Sequence, residues 1–305
     1  MTLCRADQMA ITINSNGKHI FNLNRQFVNT QNKNSRESFL FDSVLYKSYN
    51  FAMFAFLSNF LTISCMTVMV FLPAVLNIIA YPVSRKWNLA ISRYISQVCA
   101  RRVFAILHVY KKFNFEGYPD KKKELPSQFM IMSNHQSLMD IPLYMNFLRG
   151  MPLRFVAKDS LARHIPLVSE MLRGEQHCMI PRHGSPSVSM KTIDNFGKRV
   201  MEKKQIPIIF PEGTRSKSGE LGTFYAAGFR RLCDATNLPV VVCALEGGYK
   251  INKLDEILRN IHHGSYKIKI VGIFPAPKGK TEQTDLLVKG KALIQAQLDE
   301  WRGAK

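Results

Sequence analysis

The chain has 305 residues, 46% hydrophobic and 10% aromatic, enough to bury one large α/β domain with a further segment beside it. Lys and Arg number 42 against 22 Asp and Glu, and the formal charge of +20 calls for an anionic partner: nucleic acid, an acidic membrane surface or a phosphorylated substrate. The six cysteines form no C-x-x-C pair and none has metal-ligand spacing to a histidine, so they read as free thiols in a reducing compartment.

Residues 1–7 place no apolar stretch behind a basic start, so no cleavable signal peptide is expected. Residues 1–48 are polar and rich in asparagine, without a sustained helical or strand period, and are expected to form a poorly ordered arm. Residues 48–84 then carry no charge at all, and 51–60 and 61–79 are strongly apolar. A spanning helix needs about 20 such residues. Pro73 would kink a continuous helix, and Asn59 and Asn77 interrupt the run. Two forms are compatible with this: one kinked span, or two shorter helices that dip into one leaflet and return. Residues 49–84 are therefore expected to anchor the chain to membrane lipids.

Basic residues crowd in directly afterwards: Arg85, Lys86, Arg93, Arg101, Arg102, Lys111, Lys112, Lys121, Lys122 and Lys123. Such flanks favour the cytoplasmic, anionic leaflet, so the remainder, 85–305, is expected on the cytoplasmic face (the inner membrane, were the source bacterial). These cations are not interleaved with aromatic stacking platforms, and a nucleic-acid partner is not expected.

Beyond 113 short apolar runs at 113–116, 128–133, 153–157, 177–180, 206–210, 240–245 and 266–273 alternate with helical patterns at 138–148, 186–204, 224–236 and 282–301. The alternation predicts an α/β sheet flanked by helices.

One strand-to-helix junction reads Ser133-Asn134-His135-Gln136-Ser137-Leu138-Met139-Asp140. Ser137 with an acid three residues on reads as a helix N-cap, which puts His135 in the loop and Asp140 in the first helical turn. Open α/β sheets usually place reacting groups in such a loop. Asp140 can hold the imidazole in one tautomer, which leaves the other nitrogen to take a proton. No serine or cysteine stands in a G-x-S-x-G elbow, and no H-E-x-x-H helix occurs. A base without an enzyme nucleophile suits direct attack by a substrate hydroxyl on an activated acyl group. A second junction, Phe210-Pro211-Glu212-Gly213-Thr214-Arg215-Ser216, offers a close turn at Gly213, hydroxyls, and at Arg215 a planar fork suited to phosphate.

The segment Asn134-His135-Gln136-Ser137-Leu138-Met139-Asp140 resembles the N-H-x-x-x-x-D block of the glycerolipid acyltransferases, the lysophosphatidic acid acyltransferase family. Phe210 to Ser216 is similar to that family's F-P-E-G-T-R-S block without a mismatch. Cys178-Met179-Ile180-Pro181-Arg182 resembles the block ending in arginine, with Pro181 as a departure. Leu238-Pro239-Val240-Val241-Val242 resembles the proline-containing strand block, and Phe155-Val156-Ala157-Lys158 with Ile165-Pro166 the segment after the first block.

The resemblance implies a mixed central sheet and a transfer of a fatty acyl group onto the hydroxyl of a lysophospholipid acceptor, foremost 1-acylglycerol-3-phosphate. The donor it implies is an acyl-CoA or acyl carrier protein thioester, with no metal or organic cofactor. It implies His135 as base, Asp140 as its orienter, and Glu212, Gly213 and Thr214 around the acceptor, with Lys158, Arg182 and Arg215 holding its phosphate. Backbone N–H groups near 138 are where an oxyanion would be held. Another lysophospholipid or a lyso-aminolipid as acceptor, and a non-catalytic lipid-binding protein on the same scaffold, remain as alternatives. His19, His108, His164, His177, His183, His262 and His263 are expected to be structural or surface residues.

Overall fold

The computed structural model describes residues 12–13, 19–20, 35–162, 168–181, 185–251 and 264–303. The chain divides into two units, Met1–Phe56 and Leu57–Lys305. In the first, β1 (Thr12–Ile13) and β2 (His19–Ile20) pair antiparallel. Helix α1 (Ser35–Val83) starts there and runs on as one element that contains both Pro73 and Pro82. Of the two expected forms it is the single helix, and it begins inside the segment expected as an arm. Arg36, Glu37, Asp42 and Lys47 end the uncharged run at that side, but such residues do not stop a helix.

The stretch Met53–Val83, of mean hydropathy 2.2, is the one helix among the described residues long and apolar enough to cross a membrane, and 18% of its most apolar window is buried. Phe60, Val68, Leu72, Ile79 and Val83 are all more than half exposed. Its polar interruptions face inward. Asn77 is fully buried and accepts a bond from Asn88 Nδ2 at 2.8 Å, while its own Nδ2 donates to Ser92 Oγ at 3.1 Å. Asn88 and Ser92 belong to the amphipathic helix α2 (Arg85–Tyr94), which is N-capped by Ser84. Asn59 accepts from Lys111 Nζ, at the end of α3 (Ala100–Lys111), which follows a π-helical turn at Ile95–Cys99.

The rest alternates: β3 (Asn114–Tyr118), β4 (Met130–Ser133), α4 (Asp140–Phe147), β5 (Leu153–Lys158), α5 (Val168–Gly174), β6 (Cys178–Ile180), α6 (Pro186–Glu202), β7 (Ile206–Ile209), α7 (Ala226–Thr236), β8 (Val240–Glu246), β9 (Ser265–Phe274) and α8 (Gly279–Arg302). All the expected runs form strands of one sheet, in the order β3-β9-β8-β4-β7-β5-β6. From β8 to β6 the neighbours are parallel, whereas β9 runs antiparallel to β8 and parallel to β3. The sheet is therefore mixed. The carboxyl ends of β8, β4, β7, β5 and β6 share one edge, and β9 begins there.

Side chains of successive strand residues point to opposite faces. Ile131, Val241, Cys243 and Leu245 pack with Leu107 of α3 and with Leu143 and Phe147 of α4. Met130, Met132, Val240 and Val242 pack on the other face with Phe196 of α6, Phe229 of α7 and Ile294 of α8. Each such fully buried aliphatic or aromatic side chain contributes about 1.5–3 kcal/mol, which makes the central strands the rigid base of the edge they carry.

Candidate active site

His135 lies in the loop between β4 and α4, at the shared carboxyl edge. Its Nδ1 is 2.6 Å from Asp140 Oδ2. Asp140 is fully buried, and the first helical residue of α4. The same Oδ2 accepts the Gln136 N–H at 2.9 Å, while Oδ1 accepts the Ser137 N–H at 3.1 Å and the Tyr266 hydroxyl. Four donors thus surround one carboxylate and fix its two oxygens. A neutral imidazole that gives its Nδ1 proton to Asp140 carries its lone pair on Nε2. The ring stacks on Phe210, with centroids 4.2 Å apart and planes 15° apart, and its side chain keeps 18% exposure, so solvent or a substrate reaches it.

Ser137 departs from the simple cap expected. The acid reaches back to its N–H as anticipated, but its hydroxyl accepts from Met139 N at 3.3 Å, and α4 starts only at Asp140. Of the backbone N–H groups near 138 expected to hold an oxyanion, those of Gln136, Ser137 and Met139 bond side chains of the same loop.

Glu212 follows β7, is 4% exposed, and does its work inward. Its Oε1 accepts the His135 N–H at 2.8 Å and its Oε2 the Gly222 N–H at 3.0 Å. The His135 carbonyl in turn accepts the Ser216 N–H at 2.8 Å. Burial pushes the Glu212 carboxyl above the usual carboxylate range, and the two amide bonds pull the other way. This residue braces the base-bearing loop and the 211–222 loop against each other.

Gly213 adopts a left-handed φ of +63°, with open space where a Cβ would sit. Backbone conformation, not crowding, is what favours glycine there. Thr214 and Arg215 are exposed on the same turn, and Arg215 meets no carboxylate among the described residues. Lys158 is half-buried at the end of β5, two strands from β4 along the same edge. Arg182 lies outside the described residues.

Two neighbours of His135 hold the loop from both sides. Asn134 exchanges bonds with Leu245, Nδ2 to O and N to Oδ1, each 2.8 Å. Gln136 accepts from Gly248 N at 3.0 Å and donates to Glu246 Oε2 at 3.2 Å. Neither was singled out from sequence, although both flank the histidine. Tyr266, which the sequence pattern marks only as the start of a strand, donates to Asp140. Burial, then the adjacent Asp140, push its phenol well above the usual range, so it remains a donor.

Other groups fit supporting roles. Burial pushes the thiols of Cys178, Cys233 and Cys243 up to about 12, which leaves them protonated and poor nucleophiles at neutral pH. His177 is buried, and its Nδ1 accepts the Phe155 N–H at 2.8 Å, a structural bond. Among the described residues no group of three or more His, Cys, Asp or Glu side chains is placed to hold a metal ion. His164, His183, His262 and His263 lie outside the described residues.

A buried Asp140 thus holds a part-exposed His135 at the carboxyl edge of a mixed sheet. Residues 115–246 match the family model described as Acyltransferase. The particular likeness is to proteins named 1-acyl-sn-glycerol-3-phosphate acyltransferase. One from Cocos nucifera is 35% identical over 114 residues, 37% of this chain and 36% of that protein. Another, the chloroplastic LPAT1 of Arabidopsis thaliana, is 28% identical over 155 residues, 49% of this chain and 41% of that protein. The chain thus spans well under half the length of these curated relatives. The crystal structure of the 1-acyl-sn-glycerophosphate (LPA) acyltransferase PlsC from Thermotoga maritima superposes with a TM-score of 0.56 over 82% of this chain and 95% of that one. At 20% identity it shows a shared fold.

Proposed function

We propose that the protein transfers a fatty acyl group from an acyl-CoA or acyl carrier protein thioester to the free hydroxyl of 1-acylglycerol-3-phosphate, giving phosphatidic acid. The observation that carries this reading is the 2.6 Å bond from His135 Nδ1 to a buried, four-times-bonded Asp140, which leaves Nε2 to act as base. The acceptor hydroxyl gives its proton to Nε2, and its oxygen bonds to the thioester carbonyl carbon. The tetrahedral adduct collapses, the C–S bond breaks, and the imidazolium returns the proton to the departing thiolate. The products are an ester and a free thiol. Asp140 stabilises the transient imidazolium. The thioester is already activated, and the chemistry requires no metal or organic cofactor.

Arg215, on its open turn, and Lys158, at the end of the neighbouring strand β5, supply cations for the acceptor phosphate, and Arg182 completes the proposed set. The phosphate-bearing acceptor and the membrane surface account for the anionic partners that the charge of +20 calls for. Helix α1 is proposed to hold the domain at the cytoplasmic face of a membrane.

The test is an assay of the full chain in detergent, measuring thiol release with a panel of lyso-acceptors and both thioester donors. His135→Ala is expected to reduce turnover by at least about 10²–10⁴-fold, the usual worth of a general base. Arg215→Lys is expected to raise KM for the phosphate-bearing acceptor by an amount equivalent to about 1.5–3 kcal/mol, since lysine cannot form the bidentate fork. Near-normal turnover in His135→Ala sinks the mechanism. Equal impairment of acceptors with and without phosphate sinks the role of Arg215.

A further inference from the structure

Two loops form the site, and both are held from outside the segment that matches the acyltransferase family. The holding group is Arg302, the last residue of α8. Its Nε and Nη2 donate to Glu246 Oε1 and Oε2, at 3.1 and 2.8 Å. This is the bidentate fork–carboxylate geometry that combines strength with direction. The Glu246 side chain is 9% exposed, so the pair is shielded from water on one side. Glu246 Oε2 also accepts from Gln136, next to the base. In the other direction Arg302 Nη2 donates to the Gly219 carbonyl at 2.8 Å, and Nη1 to Glu220 Oε1 at 3.1 Å.

These bonds close a ring. It runs from His135 through Glu212 and its loop to Gly219, across Arg302 to Glu246, and back through Gln136. Gly219 is fitted to this arrangement. It has a φ of +88°, and a Cβ on it would meet Tyr249 at 2.6 Å and Arg302 Nη2 at 3.0 Å. The loop is therefore shaped to lie against the guanidinium rather than brought near it by a chance surface pair. Glu220 is 70% exposed, and its bond adds little. The Gly219 and Glu246 bonds bear the role.

We propose that Arg302 is a positioning residue: it locks the 211–222 loop, and with it Arg215, in register with the His135 loop, and thereby sets affinity for the acceptor. The kinetic half of this rests on the acyl-transfer reading above, and the structural half does not.

The test compares wild type, Arg302→Ala and Arg302→Lys as full chains in detergent. First, amide hydrogen exchange is followed in 216–222 and 246–248, with α6 as an internal reference. In Arg302→Ala the two segments are expected to exchange about tenfold faster or more, with α6 unchanged, and Arg302→Lys to lie in between. Unchanged exchange in the two segments, or an equal rise in α6, overturns the proposal. Second, with 1-acylglycerol-3-phosphate and a fixed thioester, Arg302→Ala is expected to raise acceptor KM about tenfold, with donor KM and kcat within about threefold of wild type. A fall in kcat with acceptor KM unchanged overturns the kinetic role. Should wild type fail to acylate this acceptor, the functional reading falls, and hydrogen exchange alone decides on Arg302. If the alanine variant does not fold, the lysine variant carries both arms.

Discussion

Tyr266 stands 126 positions from Asp140 in sequence, yet its hydroxyl completes the shell of the carboxylate that orients His135. Removing it leaves one lone pair of a buried charge without a donor, a loss of about 1–3 kcal/mol. Tyr266→Phe is therefore expected to lower thermal stability and to reduce kcat by about tenfold through looser orientation of the imidazole, with substrate KM values little changed. Asp140→Asn removes the charge partner as well and should reduce kcat far more. Measured kcat equal to wild type in Tyr266→Phe would show that the three amide and imidazole donors suffice. Residue by residue, the pairing of His135 with Asp140 was legible from their place in one strand-to-helix junction, and the 210–216 turn from its likeness to a family motif rather than from spacing alone. Tyr266, Gln136 and Glu246 were not, because their roles exist only once β8 and β9 lie beside β4. Glu212 was legible as a site residue, but not its inward direction, since a motif names a residue without saying which way its carboxylate turns.

His177 gives a pH-dependent contribution that also belongs to this scale. Burial lowers its pKa from the ordinary value of 6.5, partly offset by Glu175, and Arg154 and Arg199 add to the lowering. Its Nδ1 must stay unprotonated to accept the Phe155 N–H. At pH above 6.5 both folded and unfolded chains hold this histidine neutral, and it carries no penalty. As pH falls below that, the unfolded chain binds a proton that the fold resists, and stability declines. Burial would raise the Glu175 carboxyl, but His177, Arg154 and Ser96 bring it below its ordinary 4.5, so its contribution is lost only at still lower pH. The thermal midpoint in detergent is expected to drop between pH 7.5 and 5.5. His177→Gln, which can still accept the amide but does not titrate there, should show a shallower drop. An identical drop in both proteins would remove His177 as its cause.

At the scale of elements, short apolar or alternating runs located every strand of the large sheet to within two residues or so, because central strands covered on both faces are apolar throughout and half-buried ones alternate. Strand order was not legible, since nothing local records that β9 inserts between β3 and β8. Helix α1 shows a different kind of encoding. Its two asparagines looked like flaws in an apolar run, whereas each is the inward contact that sets the helix's rotation against α2 and α3. Replacing Asn77 by leucine leaves Asn88 Nδ2 buried without its acceptor, at a cost of about 1–3 kcal/mol, and frees α2 from α1. Asn77→Leu is expected to speed proteolysis in 84–99 while α6 and α7 stay protected. A cleavage pattern unchanged from wild type would mean that apolar packing alone sets the helix pair.

At the scale of the whole molecule, the distribution of charge along the sequence sets a long apolar segment beside a basic α/β domain, whereas the chain divides at 56/57, inside that apolar segment. The exposed Phe60, Val68, Leu72 and Ile79 face outward, and an apolar solvent suits them better than water. The protein is expected to stay with membranes at high salt and to leave them in detergent. Its appearance in the soluble fraction at low salt without detergent would refute the anchor. The basic residues of 85–123 should make any residual surface binding salt-sensitive, since such charges are screened within about 8 Å at physiological ionic strength.

The ring that Arg302 closes has a consequence for biosynthesis. Both signature segments, 134–140 and 210–216, leave the ribosome well before the residues that lock them, Tyr266 in β9 and Arg302 at the end of α8. Until β9 and α8 are made, the growing chain holds the His135 loop and the 210–216 turn joined only by the Glu212 and Ser216 bonds, without those of Tyr266 and Arg302. The proposed chemistry is therefore expected to be weak until β9 and α8 have joined the sheet. Chains stalled after residue 264 should bind membranes yet release little thiol, and release of the full chain should restore turnover on the timescale of α8 docking rather than of synthesis.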